Sequence, residues 1–256
     1  MKLLVYSDLH IENSPYAFSP ESLSSADVVV MPGDVGEGMR GIRYAADLSR
    51  AGTPVVYVAG NHEYLGKEYH AHLAAMREYA KDYRNLHFLE QDAAVIDGVR
   101  FLGTTLWPGF NLLGEIWKDK AMLAAKNGAP DYTYTRFGNR TITPQDHADL
   151  FKKASEWLSF MLATPFKGPS VVVTHFAPHK KSSRKGYISD LISPYFANTL
   201  NPLLFARPAL WLHGHTHKKT RYTVDQAEVF SFPRGYPSEV ASEPGMLTVP
   251  KQKQRP

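Results

Sequence analysis

The chain has 256 residues, 43% of them hydrophobic and 21% charged, the balance of a globular protein rather than of a disordered or coiled-coil one. Its length suits one large α/β unit with an insertion, and the absence of cysteine removes disulfides, thiolate metal sites and cysteine nucleophiles together. A net charge of +4 is a mild excess; no apolar run approaches the roughly 18 residues that span a bilayer, the apolar start at residues 3–6 is too short for a secretion signal, and no membrane association and a cytoplasmic location are the expectation.

Taken in order, Leu3-Leu4-Val5-Tyr6 is apolar on both parities, as expected of a strand covered on both faces, and Asp8-Leu9-His10 follows at once. Residues 28–31 repeat the pattern and run into Pro32-Gly33-Asp34. Residues 39–50 read as a helix closed by Gly52. Residues 55–58 then lead into Gly60-Asn61-His62-Glu63, and 67–80 into a further helix. From Gly103 to Thr143 the rhythm stops: Trp107, Phe110, Trp117, Tyr132, Tyr134 and Phe137 fall among glycines and basic residues, with a short helix around 115–126. This insertion, 104–143, reads either as a surface excursion packing its own aromatic cluster or as a lid beside a site. A helix over 144–162 has Thr143 as N-cap, Pro144 at its first position and Asp146 near the third. Phe151, Ala154, Leu158 and Met161 give it an apolar face. Residues 171–173 precede Thr174-His175, and 209–212 precede His213-Gly214-His215-Thr216-His217. A strand at 229–232 precedes Arg234, and the last ten or so residues read as a loose tail.

Five apolar strands thus end in polar or histidine-bearing loops, and in open α/β sheets such loops converge on one ligand site. Along an extended strand residues i and i+2 point the same way, so Asp8 with His10, and His215 with His217, can each reach one ion. His70 and His72 share that spacing, but two residues of a helix turn about 200°, so that pair reads as solvated helix surface. Asp8, His10, Asp34, Asn61, His175, His215 and His217 are too many ligands for one tetrahedral zinc and enough for two ions if a carboxylate bridges. Nitrogen and oxygen donors without sulfur suit manganese, the first expectation, with iron or zinc as alternatives, while magnesium alone would want fewer imidazoles. Two such ions clamp the attacking and leaving oxygens of an in-line displacement, which is hydrolytic phosphoryl chemistry.

Asp8-x-His10, Gly33-Asp34, Gly60-Asn61-His62-Glu63, His175 and Gly214-His215-Thr216-His217 resemble the ordered motifs of the calcineurin-like metallophosphoesterase superfamily, over about residues 1–235. The resemblance implies an α/β fold, a four-layer α-β-β-α sandwich of two mixed sheets in a single domain over 1–256. It implies one ion held by Asp8, His10, Asp34 and His217, another by Asp34, Asn61, His175 and His215, and Asp34 as the bridge. A hydroxide between the ions would attack phosphorus. His62, not a ligand, would protonate the leaving oxygen or stabilise the transition state.

Departures narrow the reading. The protein-phosphatase branch continues its Gly-Asp motif into Asp-Arg-Gly, whereas this chain has Gly33-Asp34-Val35-Gly36-Glu37-Gly38. Glu37 holds the acidic position and is expected to orient His62, but the arginine is missing. The chain therefore resembles the small bacterial metallophosphoesterases, many of which cleave diesters. The expected function is hydrolysis of a phosphodiester or phosphomonoester of a nucleotide or other small molecule; the alternatives are a protein phosphatase, an exonuclease acting on nucleic acid, or a non-catalytic scaffold. His213 reads as a packed strand-end histidine. Glu63 and Glu12 fall outside the catalytic set, with a supporting contact and a solvent-facing role both open for Glu63. The basic run 179–185 with Lys218-Lys219 reads as a solvated face or as the rim that draws in an anion, and Arg234 as a contact near phosphate.

Overall fold

In the computed structural model, which describes residues 1–183 and 190–250, the apolar runs form two mixed sheets packed face to face. The first has five strands. Lys2–Val5, Val28–Pro32, Val55–Val58 and Leu86–Phe88 lie parallel in that order, and Gly245–Thr248 pairs antiparallel with the free side of Lys2–Val5. The second has six strands. Ala227–Ser231, Leu210–His213, Ser170–Thr174 and Val99–Thr104 run parallel, and the edges are closed by the antiparallel strands Thr220–Val224 and Asp92–Ile96.

Alternation along the strands divides the core. Leu3, Val5, Val28, Val30, Val56 and Val58 face the second sheet and meet Phe101, Val171, Val173, Leu210 and Leu212. On the opposite parity Leu4, Val29, Met31, Val55 and Tyr57 pack against Ile42 and Ala45 of helix Met39–Arg50 and Leu73 and Met76 of helix Tyr69–Ala80. The outer face of the second sheet places Leu102, Val172, Trp211 and Val229 on Ala154, Leu158 and Leu162 of helix Pro144–Ala163. Burial of each such side chain contributes about 1.5–3 kcal/mol. The resulting layers run helix, sheet, sheet, helix. No helix among the described residues is long and apolar enough to cross a membrane.

Three sequence readings change. The insertion does not build an aromatic cluster of its own: Trp107, Phe110 and Tyr132 join the core under the first sheet's helices, together with Ala121, Ala125 and Ile142. Ala121 and Ala125, one turn apart on helix Lys118–Gly128, let that helix sit close. Trp117 and Tyr134 are left exposed. His70 and His72 do face apart, yet only His70 is exposed; His72 is buried edge-on against Tyr64, because the helix turns its Tyr69, His72, Leu73 and Met76 face inward. The first residues of the expected tail, Leu247 and Thr248, are the end of strand Gly245–Thr248, and its last residues, 251–256, lie outside the described residues.

Helix Pro144–Ala163 starts as its sequence indicates. The Thr143 hydroxyl accepts the Asp146 N–H and the Asp146 carboxylate accepts the Thr143 N–H, while Arg140 donates twice to the same carboxylate at 2.6 and 2.8 Å. Partial burial alone would raise the Asp146 pKa; the Arg140 and Thr143 hydrogen bonds override it and hold it at about 2. A carboxyl with a depressed folded-state pKa adds stability above its ordinary value that is lost as pH falls through the lowered one. Asp146→Asn should therefore cost about 1 kcal/mol at neutral pH, measured by urea unfolding, and the gap from the parent chain should close between about pH 4 and pH 2.

Candidate active site

The parallel strands of both sheets end on the same side of the sandwich, and their loops are stitched together by backbone hydrogen bonds. Asp8 donates to Gly33 O at 3.0 Å, His10 to Asp34 O at 3.1 Å, Gly214 to His175 O at 3.0 Å, Ser7 to Phe232 O at 2.9 Å and Gly235 to Asp8 O at 3.0 Å. The turns are tight. Asp8, His10, Asp34, His215 and His217 all take left-handed φ values between 45° and 64°, a conformation non-glycine residues hold only when their surroundings impose it. Two glycines make room for them: a Cβ at Gly60 would lie 2.2 Å from Asp34 Oδ1, and one at Gly33, with φ +82°, 2.3 Å from His175 Nδ1.

All seven residues singled out as ligands come together. Donor atoms of Asp8, His10, Asp34 and His217 lie within 4.8 Å of one another, as do those of Asp34, His175 and His215, so Asp34 belongs to both groups. Asn61 Oδ1 sits 3.2 Å from His175 Nε2. Ring orientation is set from outside. His10 Nδ1 lies 3.1 Å from Glu12 Oε1, His175 Nδ1 2.9 Å from Pro32 O, and His217 Nδ1 2.5 Å from Glu239 Oε2. Each acceptor keeps the proton on Nδ1 and turns the Nε2 lone pair inward.

That arrangement fits divalent cations. His10 Nε2 and His217 Nε2 are 3.1 Å apart with both lone pairs facing, and the buried His215 Nε2 has no hydrogen-bond partner among the described residues. Burial opposes charge on both partners, yet Asp34 lifts His175 to about 9 and His175 holds Asp34 well below the carboxylate range.

His62 lies at the edge of the cluster, its N–H donating to Asp34 Oδ1 at 2.9 Å and its Nε2 3.1 Å from the Tyr236 hydroxyl. Beside it opens a cavity of about 400 Å³, lined by Asp34, Asn61, His62, His215 and His217, by Gly128, Ala129 and Pro130 of the insertion, and by Ile192, Tyr195, Phe196 and Tyr236. A larger trough of about 1270 Å³ opens beside Val99, Ser170 and Ala209 and includes none of the clustered residues.

Comparison with known proteins agrees with this geometry. The family model for calcineurin-like phosphoesterases matches residues 1–219. The chain belongs to the calcineurin-like phosphoesterases. Uncharacterized protein L509 of Acanthamoeba polyphaga mimivirus is 24% identical over 267 residues, covering 93% of each chain. The crystal structure of phosphopantetheinyl hydrolase (PptH) from Mycobacterium tuberculosis superposes with a TM-score of 0.68 at 20% identity, over 92% of this chain and 90% of that one. As in its family, the activity class is metal-dependent hydrolysis of phosphoric esters.

Several residues of this calcineurin-like phosphoesterase do other work than their sequence context indicates. Glu63 is fully buried and contacts no solvent: Oε1 accepts from Val35 N, Gly36 N and the Tyr57 hydroxyl at 2.8, 3.2 and 2.8 Å, and Oε2 from Gly60 N and Asp34 N at 2.7 and 3.1 Å. Glu37 is exposed and does not orient His62; the carboxylate near His62 Nδ1, at 3.9 Å, is Glu12. Arg234 points away from the cavity, covering the Tyr16 ring, since Leu9 O, Ser14 O, Ser14 Oγ and Pro15 O engage both terminal nitrogens of its guanidinium. His213, by contrast, is packed as its strand-end position indicates, bonded to Ser182 Oγ at 2.8 Å and lowered to about 4 by burial. In the basic run Lys181 donates to Thr223 O, Lys218 donates to Ser183 O, and Arg184 and Lys185 lie outside the described residues. Tyr236 and Glu239 escape the sequence reading because no spacing rule ties them to His62 and His217; the turn after the last parallel strand is their only signal.

Replacing Glu63 by Gln keeps the shape but sets an NH₂ against either the three donors at Oε1 or the two at Oε2. Glu63→Gln should lower stability by about 1–3 kcal/mol, read as a lower thermal midpoint, with bound metal reduced in the fraction that stays folded.

Proposed function

We propose that this chain is a dinuclear metal-dependent phosphoesterase acting on a small phosphate ester, diesters ahead of monoesters. The observation that carries the reading is Asp34, whose carboxylate is common to both donor groups. Asp8, His10, Asp34 and His217 would hold one ion, and Asp34, Asn61, His175 and His215 the other, with manganese the first expectation and iron or zinc alternatives. When bound, the ions supply charge stabilisation at phosphorus and a nucleophile near neutral pH.

The chain's own residues do the rest. His62, part-exposed at the cavity edge, gives a proton from Nε2 to the oxygen that leaves phosphorus. Tyr236 fixes that nitrogen at 3.1 Å, and Glu12 Oε1 lies 3.9 Å from Nδ1. Gly128, Ala129 and Pro130 of the insertion, with Ile192 and Phe196, form an apolar wall. We assign that wall to the organic part of the ester, so the insertion acts as a specificity wall.

No lysine or arginine lines the cavity among the described residues, and its volume is that of a small-molecule site. These features support an ester with an uncharged organic group over a nucleic-acid strand, which needs basic tracking and stacked aromatics, and over a folded phosphoprotein. The Mycobacterium tuberculosis structure is named for phosphopantetheinyl hydrolysis, a small phosphorylated class that such a cavity would admit.

Protein stripped of metal should be inactive toward nitrophenyl phosphodiester and monoester and regain turnover on reloading, with the diester favoured. Inactivity with manganese, iron, zinc and magnesium alike would overturn the assignment. His62→Ala should reduce kcat about 10²–10⁴-fold for an alkyl leaving group and far less for nitrophenolate, which departs without a proton; equal losses would remove the general-acid role.

A further inference from the structure

Asp131 and Tyr195 belong to none of the metal motifs, yet both reach the site. Asp131 is fully buried at the start of the short helix Asp131–Tyr134 of the insertion, and Tyr195 is buried on Ser193–Phe196. The Tyr195 hydroxyl donates to Asp131 Oδ2. Asn61 Nδ2 reaches the same oxygen at 3.5 Å and the Tyr195 hydroxyl at 3.4 Å, both long contacts, while Asn61 Oδ1 is turned to His175 Nε2 at 3.2 Å.

The two ends of a primary amide differ only in their hydrogen-bonding sense, so an Asn side chain is oriented by what its NH₂ meets. A carboxylate accepts and cannot donate. Facing Asp131, the Asn61 NH₂ turns outward and the carbonyl oxygen, the end able to bind a cation, turns into the cluster. Asp131 is also a poor stabiliser by itself: its Oδ1 is buried without a hydrogen-bond partner among the described residues, and burying such a group costs more than an apolar side chain of the same shape. Burial raises its pKa, and the Tyr195 hydrogen bond works against that shift.

We propose that Asp131 and Tyr195 are positioning residues that fix the Asn61 amide with its carbonyl oxygen toward the cation it shares with Asp34, His175 and His215. The inference rests on the two-ion reading above. It makes the insertion part of the metal site through one side chain, so that substrate wall and cation site are built together.

The test is manganese binding, measured by calorimetry and by metal content after dialysis, on the parent chain and on Asp131→Leu, Asp131→Asn and Tyr195→Phe, with thermal melting as the fold control. The parent should bind two ions. Asp131→Leu should keep one at parental affinity and bind the second about 10–100-fold more weakly. Asp131→Asn, whose amide oxygen still accepts, should recover most of that loss, and Tyr195→Phe should fall between. Two ions at parental affinity in folded Asp131→Leu, or equal losses in Asp131→Leu and Asp131→Asn, would overturn the inference and leave the two-ion reading standing. If Asp131→Leu does not fold, Tyr195→Phe decides: parental affinity for both ions overturns the inference. A parent chain that binds no ion removes the two-ion reading and this inference together.

Discussion

Five hydrogen bonds to the Glu63 carboxylate hold together the two loops from which the site grows. Where neighbouring parallel strands end, their backbone N–H groups lose sheet partners and would be buried unpaired. Glu63 accepts from Asp34, Val35 and Gly36 on one loop and from Gly60 on the other, so the second and third strands leave the sheet in a fixed relation. Its own charge is kept in a fully buried position by those donors, against burial and the nearby Asp34 charge, which both raise its pKa. Asp34 then has little freedom: its N–H is held, its φ is +51°, and its Oδ1 accepts from His62 N.

The second constraint is charge. Asp8 and Asp34 are buried, and buried carboxylates need compensation. The first sheet supplies Asp8, His10, Asp34 and Asn61, and the second supplies His175, His215 and His217. The two donor groups that share Asp34 each mix residues from both sheets, and neither is complete until the sheets have packed. A cation held by these donors would therefore couple its binding to the packing of the two sheets, and the left-handed turns that aim the donors are held by the same cross-loop hydrogen bonds.

The strand-end motifs were readable because strands buried on both faces are apolar on both parities, which marks residues 3–6, 28–31 and 171–173 without ambiguity. The helix at Pro144 was readable because its cap is local: Thr143 and Asp146 serve each other across three residues. What escaped depends on tertiary neighbours. Glu63 looks like any turn glutamate until Tyr57 and two loops close over it. His72 differs from His70 only in which helix face meets Tyr64. Trp107 and Tyr132 carry no mark that distinguishes a separate cluster from a place in the main core. Arg234 follows a strand as a phosphate contact would, but the carbonyls of residues 9, 14 and 15 reach it first. Asp131 and Asn61 are 70 residues apart, and no local periodicity links them.

Anomalous diffraction from crystals grown with manganese addresses the central claim without relying on any choice of substrate. Two peaks flanking the Asp34 carboxylate, one toward His10 and His217 and the other toward His175 and His215, are the predicted result. A single peak, or peaks that leave Asp34 on one side of the metal density, would contradict a bridged two-ion centre.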